Sequence, residues 1–226
     1  MFIDYNQILY ANFVQVIKRQ SAIFLENDEN GLFIQDTISK AFMLVTNDVN
    51  LAFNWLKKHE HLHYQLIVVY DKELVNFIKE RYCILNSLTC FQAVYLTQNQ
   101  FIENHDFVLK QASIDDLPMI LEHYHRLSVD EMKDIIHQGH LYLGYVDYHL
   151  IGFIGEHLEG SIGLLEVFDE YRRQGYGSEM EKRMINMMLN KNLLPYCQIE
   201  IENEKSLSLQ KKLGMSLSNE KVYWLF

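Results

Sequence analysis

The sequence predicts a mixed α/β fold, of the α+β kind with a mixed sheet, built as two units. Three observations predict it. Short β-branched apolar runs alternate with longer amphipathic stretches along the whole chain. The composition, 49% hydrophobic and 13% aromatic in 226 residues, supplies a buried core and excludes a disordered tail, a fibre or a disulfide-stapled miniprotein. All glycines but one fall after residue 138, so the two halves turn by different means. The polar segment 101–106 (FIENHD) marks the boundary. Residues 1–104 form a small mixed α/β unit and residues 105–226 a second one.

In the first unit, Ile8, Leu9, Phe13, Val16 and Ile17 recur at helical spacing over residues 5–20. ENDENG (26–31) reads as a turn, and GLFIQDT with AFMLVTN as a strand hairpin. A helix over 49–59, a buried strand over 64–71, a helix over 72–82 and a strand over 89–97 complete it.

The second unit opens with a strand at 107–112. Ser113 then caps a helix whose first turn is acidic. Ser128 and Glu131 form a capping box for the next helix. Residues 140–167 read as three antiparallel strands, 177–190 as a helix and 196–202 as a strand. A helix closed by Gly214 and a last strand over 221–226 follow.

Charge narrows the function. Thirty acidic residues against twenty basic ones give −10, which repels a phosphate backbone and argues against nucleic-acid binding. Cys83, Cys90 and Cys197 form no C-x-x-C pair, so a disulfide framework or structural zinc is not expected and a reducing, cytoplasmic setting is. The opening MFIDYNQILYANF lacks the pattern of a signal peptide, and no 18-residue apolar run predicts a membrane span.

The chemistry concentrates in LLEVFDEYRRQGYGSEMEKRMI (164–185). An apolar strand ends at Val167, and Arg172-Arg173-Gln174-Gly175-Tyr176-Gly177 leads into a helix. Glycines let backbone approach a ligand, and unpaired N–H groups at a helix start favour an anion. Further on, Asn203-Glu204-Lys205-Ser206 opens a helix that ends in Leu213-Gly214-Met215.

The two motifs in this order, with ASIDDL before the first helix of the unit, resemble the GNAT superfamily of acyl-CoA-dependent N-acyltransferases. The resemblance covers about residues 107–226. The second half, with Pro195 before its strand, is also similar to the glycine N-acyltransferase-like branch, in which a GNAT-like unit without the cofactor motif comes first. The resemblance implies acetyl-CoA or another acyl-CoA as co-substrate and an amine of a small molecule or peptide as acceptor. It implies pyrophosphate on the amides of Arg173, Gln174, Gly175, Tyr176, Gly177 and Ser178, with Arg172 at the motif's first position. The pantetheine arm then pairs with the backbone of Leu165 and Val167, where strand 197–202 splays away, and Asn203 and Ser206 face it.

An amine must lose its proton before it attacks a thioester, the oxyanion must be stabilised, and a thiolate must leave. Glu166, a carboxylate in an apolar run next to Val167, is the chosen base, with Glu156, His157 and Glu159 as alternatives. Two positions depart from the family. Ser161 stands where some members carry glutamate, and Gln210 where many carry a tyrosine that protonates the thiolate. Tyr223, a water or an unaided thiolate are the alternatives for the acid. A non-catalytic acyl-CoA-binding sensor or scaffold is the competing reading. His59, His61 and His63, with His123 and His125, read as polar surface rather than a metal site. Met180, Met184, Met187 and Met188 read as core filling and Cys197 as a small core residue. Tyr124, Tyr142, Tyr145 and Tyr148 suit either an acceptor pocket or a buried sheet face. Sheet-edge pairing into a homodimer remains open.

Overall fold

The computed structural model describes residues 8–226. The start of the expected first helix and most of the stretch read as lacking a leader lie outside these residues. In the first half, α1 (Ala11–Lys18) is followed by a meander of β1 (Ala22–Asn27), β2 (Gly31–Asp36) and β3 (Phe42–Thr46). Then come α2 (Val49–Lys58), β4 (Ile67–Val69), α3 (Lys72–Tyr82) and β5 (Ser87–Val94). β1 was not expected from the sequence. It is an edge strand that leaves Ile23 and Phe24 about half exposed, so it shows no clean alternation.

In the second half, β6 (Phe107–Gln111) leads to α4 (Leu117–His123) and α5 (Val129–His137). Next is the meander β7 (Leu141–Val146), β8 (His149–Glu156) and β9 (Ile162–Val167), followed by α6 (Tyr176–Asn190). β10 (Tyr196–Glu200), α7 (Glu204–Lys212), β11 (Ser216–Leu217) and β12 (Val222–Leu225) complete the chain. The expected capping box of Ser128 with Glu131 forms, and the expected cap at Ser113 is completed as a second box by Asp116. Gly214 closes α7 at φ +79°, where the Gly214 and Met215 amides bond back to the Lys211 and Gln210 carbonyls.

All strands join one twelve-stranded sheet, ordered β1-β2-β3-β4-β12-β5-β10-β9-β8-β7-β6, with β11 pairing on β5. The two halves follow the same plan. Each has an antiparallel meander, a helix leading to a parallel strand (β3-α2-β4 and β9-α6-β10), another helix and a final strand. The final strands are exchanged. β5 lies against β10, and β12 lies between β4 and β5. No helix among the described residues is long and apolar enough to cross a membrane.

Helices cover both faces. Met180, Met184 and Met188 of α6 pack with Ile185 on Ile154, Ile162 and Ile199, as the methionine spacing predicts, and Met187 packs against the same cluster only partly buried. At about 1.5–3 kcal/mol for each such side chain removed from water, they fix the helix on the sheet. On the opposite face α4 and α5 place Ile120, Met132 and Ile135 against Leu143, Phe153 and Leu164. In the first half α2 and α3 cover one face and α1 the other.

Candidate active site

The site starts with an irregularity in β9. Phe153 faces Glu166 and Gly155 faces Gly163, so β9 carries one more residue than β8 between those pairs. Leu164 sits at φ +51° within this bulge. A bulge reverses the phase of the side chains that follow. Leu164 therefore packs toward α4 and α5, while the next residue, Leu165, packs toward α6.

β9 also parts from its other neighbour. The parallel pairing with β10 is confined to Cys197 opposite Ile162, so a wedge opens toward Val167, where the sequence reading places it. The cleft there has a volume of about 1010 Å³. Leu165 and Glu166 line it from β9, Gln198 and Glu200 from β10, and Asn203 and Ser206 from α7. The first half contributes wall residues, among them Gln65, Leu66, Leu88 and Cys90.

Beyond Val167 the chain turns through Asp169–Tyr171 and enters α6 at Gly175, whose φ of +89° places it in the left-handed region. Arg173 shares that region at φ +63°. Among the described residues, no protein acceptor takes the amide N–H of Arg173, Gln174, Gly175, Tyr176, Gly177 or Ser178. A Cβ at Gly175 would meet nothing within 4 Å, and one at Gly177 would touch only Val167 and Leu165 side chains, at 3.5 and 3.7 Å. The cradle is thus open on its outer side.

The other expected residues have definite partners. Arg172 donates from Nε to the Val167 carbonyl (2.8 Å) and from Nη2 to Glu166 Oε1 (2.6 Å), and also pairs with Asp169. One backbone acceptor expected to be open to a ligand is therefore occupied, and Glu166 is held by a guanidinium. Gln174 Nε2 bonds the Glu170 carbonyl (3.1 Å). Asn203 caps α7, its Oδ1 accepting from the Ser206 amide (3.1 Å).

The alternatives for a base separate as well. Glu156 is buried, and desolvation raises its carboxyl above the usual range. His157 and Glu159 both line the cleft. His157 lies over Gly163, where a Cβ would come within 2.5 Å of its Nε2. Glu159 Oε1 accepts the Ser161 hydroxyl (2.5 Å) and is 9% exposed. Tyr223 packs with the core under α2 and α3, while its neighbour Trp224 lines the cleft. Of the tyrosines weighed for an acceptor pocket, Tyr124 lines the cleft and Tyr148 is 98% exposed on a hairpin. Cys197 is buried in the core beneath α6, as read. His59 bonds Glu26 (2.6 Å), and His123 stacks on Phe168.

Sequence reasoning missed Glu181. It lies on the inner face of α6, 3% exposed, with its Oε1 accepting from Gln210 Nε2 (2.8 Å). Burial pushes its carboxyl up to about 7, while the Gln210 bond acts the other way. An acidic residue among the α6 methionines, at a helix position otherwise apolar, was the signal available.

Residues 142–225 match the family model of FR47-like proteins. No curated protein matches the chain. Three solved structures show its architecture. A Drosophila protein, 15% identical, aligns over 87% of this chain and 73% of its own at TM-score 0.64. A candidate acetyltransferase of the GNAT family from Novosphingobium aromaticivorans, 12% identical, aligns over 97% and 96% at 0.60. A GCN5-related N-acetyltransferase-like protein from Streptococcus suis, 14% identical, aligns over 99% and 94% at 0.57. The chain has the mixed α/β fold, with a mixed sheet, of these GNAT acetyltransferase structures.

Proposed function

We propose that the protein is an N-acyltransferase that moves an acyl group, acetyl in the simplest case, from acyl-CoA to a primary amine. One observation carries this reading. Six consecutive unclaimed amides at the start of α6 adjoin a wedge between two parallel strands. Backbone N–H groups suit a diphosphate, and a strand edge suits an extended amide-bearing arm. The acyl-CoA reading assigns the diphosphate to Arg173 through Ser178 and the arm to the edge of β9 at Leu165 and Val167, with Asn203 and Ser206 across from it.

For the base, the geometry favours Glu159 over Glu166. Arg172 occupies Glu166, whereas Glu159 holds only the Ser161 hydroxyl among its side-chain hydrogen bonds. Its carboxylate thus reaches, from two residues earlier, the position where Ser161 replaces the family's glutamate. It takes the amine proton directly or through a water, and a backbone N–H near Val167 steadies the oxyanion. No metal enters the reading. The first half shares the plan of the second from its meander onward, and among its described residues the equivalent helix entry does not suit a diphosphate, which supports the glycine N-acyltransferase-like branch. The equivalent helix start, at α2, is capped by the Asp48 side chain, which repels an anion, and β3 and β4 pair at two successive positions.

Calorimetry with CoA and acetyl-CoA, followed by thiol release with a panel of amino acids, polyamines, aminoglycosides and amino-terminal peptides, tests it. Binding with turnover of some amine is the expected result. Binding without turnover across the panel leaves the non-catalytic sensor, and no binding ends both readings.

A further inference from the structure

The acyltransferase reading leaves one chemical role empty, since Gln210 has no proton to give a departing thiolate. Directly against Gln210 stands a side chain that has one. Glu181 and Gln210 are 3% and 1% exposed, yet both line the cleft. They share one hydrogen bond, Gln210 Nε2 to Glu181 Oε1 at 2.8 Å. Each keeps one buried oxygen without a partner: Oε2 of Glu181 and Oε1 of Gln210. Both leftover atoms are acceptors if the carboxyl is ionised, and a buried acceptor without a donor is costly. A proton on Glu181 turns its side into a donor. The Cys197 thiol of β10 lies near enough for the Glu181 carboxylate to oppose its ionisation, and burial with the Gln210 bond, not a neighbouring charge, sets the acidity of Glu181. No cation pairs with Glu181 among the described residues.

We propose that Glu181 is the acid of the reaction, delivering its proton to the sulfur that leaves acyl-CoA while Gln210 holds its carboxyl. The inference rests on the acyltransferase reading. In the step, the carbon–sulfur bond of the tetrahedral intermediate breaks and its electron pair passes to sulfur. The Oε2 proton of Glu181 forms the S–H bond, leaving a carboxylate. That carboxylate regains a proton from solvent, while the amine's surplus proton leaves through the base. The direction is favourable. Burial holds Glu181 near 7, below the value of about 8.5 of an ordinary thiol. At neutral pH the group is present in both forms, as a recycling acid must be.

Three measurements test the proposal. Infrared titration of the protein alone should show a carboxylic-acid band that ionises near pH 7 and is missing from E181Q. With acetyl-CoA and an amine that the wild type acetylates, E181Q should lose about 10²–10⁴-fold in kcat and bind CoA unchanged in calorimetry. It should also lose the fall in rate above pH 7, a change that a packing defect does not produce. In Q210M, loss of the bond that favours the carboxylate should move that fall to higher pH. If Glu181 ionises in the ordinary carboxylate range, if E181Q keeps its rate and pH profile, or if the Q210M profile does not move, Glu181 is not the acid and the acyltransferase reading stands. If the wild type binds no CoA, that reading falls and takes this one with it.

Discussion

Two glutamates near the wedge differ in what surrounds them, and that difference sets what each can do. Glu166 meets a guanidinium at 2.6 Å, while Glu159 meets a hydroxyl. Replacing Glu159 by Gln should lower kcat about 10²–10⁴-fold, the usual worth of a positioned proton acceptor. The Glu166→Gln enzyme should retain most of its kcat and respond mainly in acyl-CoA affinity, because Arg172 then loses one of its anchors. Steady-state kinetics of the two variants side by side decide it, and the reverse ranking refutes the assignment to Glu159. The sequence alone ranks Glu166 first, because its apolar setting beside Val167 is visible there and its Arg172 partner is not. Strand parity decides where Glu166 points, and the positive φ at Leu164 resets that parity. No residue type in LLEV signals a bulge, since leucine is a poor occupant of the left-handed region. Glu159 was legible only as a nearby acid, because its tie to Ser161 depends on how the turn folds back.

Helix entries are where the two halves part company. α2 starts from an Asp48 cap in extended conformation and α6 from Gly175 in the left-handed region. The sequence shows this contrast directly, since Gly175 and Gly177 have no counterpart near residue 48. The helix caps and the Gly214 stop were also legible, because each is local: a side chain three residues on completes each capping box, and a glycine supplies the positive φ that lets backbone amides close α7. β1 was not, being short and half exposed, and neither was β11, a two-residue strand. Inside the cradle, Gly177 is dispensable for the protein itself, since a methyl group there touches neighbours at 3.5 Å or more. Gly177→Ala should therefore fold at least as stably as the wild type, by up to about 1 kcal/mol from helix propensity. It should nevertheless bind CoA more weakly, as the methyl crowds the amides. Thermal melts and calorimetry read the two effects separately, and unchanged affinity removes Gly177 from the cradle.

On the scale of the whole chain, the sheet has no seam at residue 104. β5 and β12 each bind the opposite half's parallel strand, a pairing that no local pattern in the sequence encodes. The sequence shows stretches of strand and helix but neither that the halves share a plan nor which edges meet, because pairing partners far apart in the chain leave no periodicity to read. Trp224 sits at this join, 6% exposed, with its Nε1 bonded to Gln198 Oε1 at 2.5 Å. Trp224→Ala should cost about 3–5 kcal/mol, and that loss should appear in both halves together. Calorimetry of the wild type should show one cooperative transition, and two separate transitions would count against a shared core.

Because Tyr223 seats opposite both Val69 and Thr89, the middle of the sheet is closed by Val222–Leu225, a strand made long after Ile67–Val69 and Ser87–Val94. Until then β4 and β5 present bare edges toward each other, open to pairing with a neighbouring chain. Assembly must wait for a contact spanning much of the chain, which slows folding. Chaperone demand during synthesis, rather than the stability of the finished protein, is where this exchange of strands should be felt.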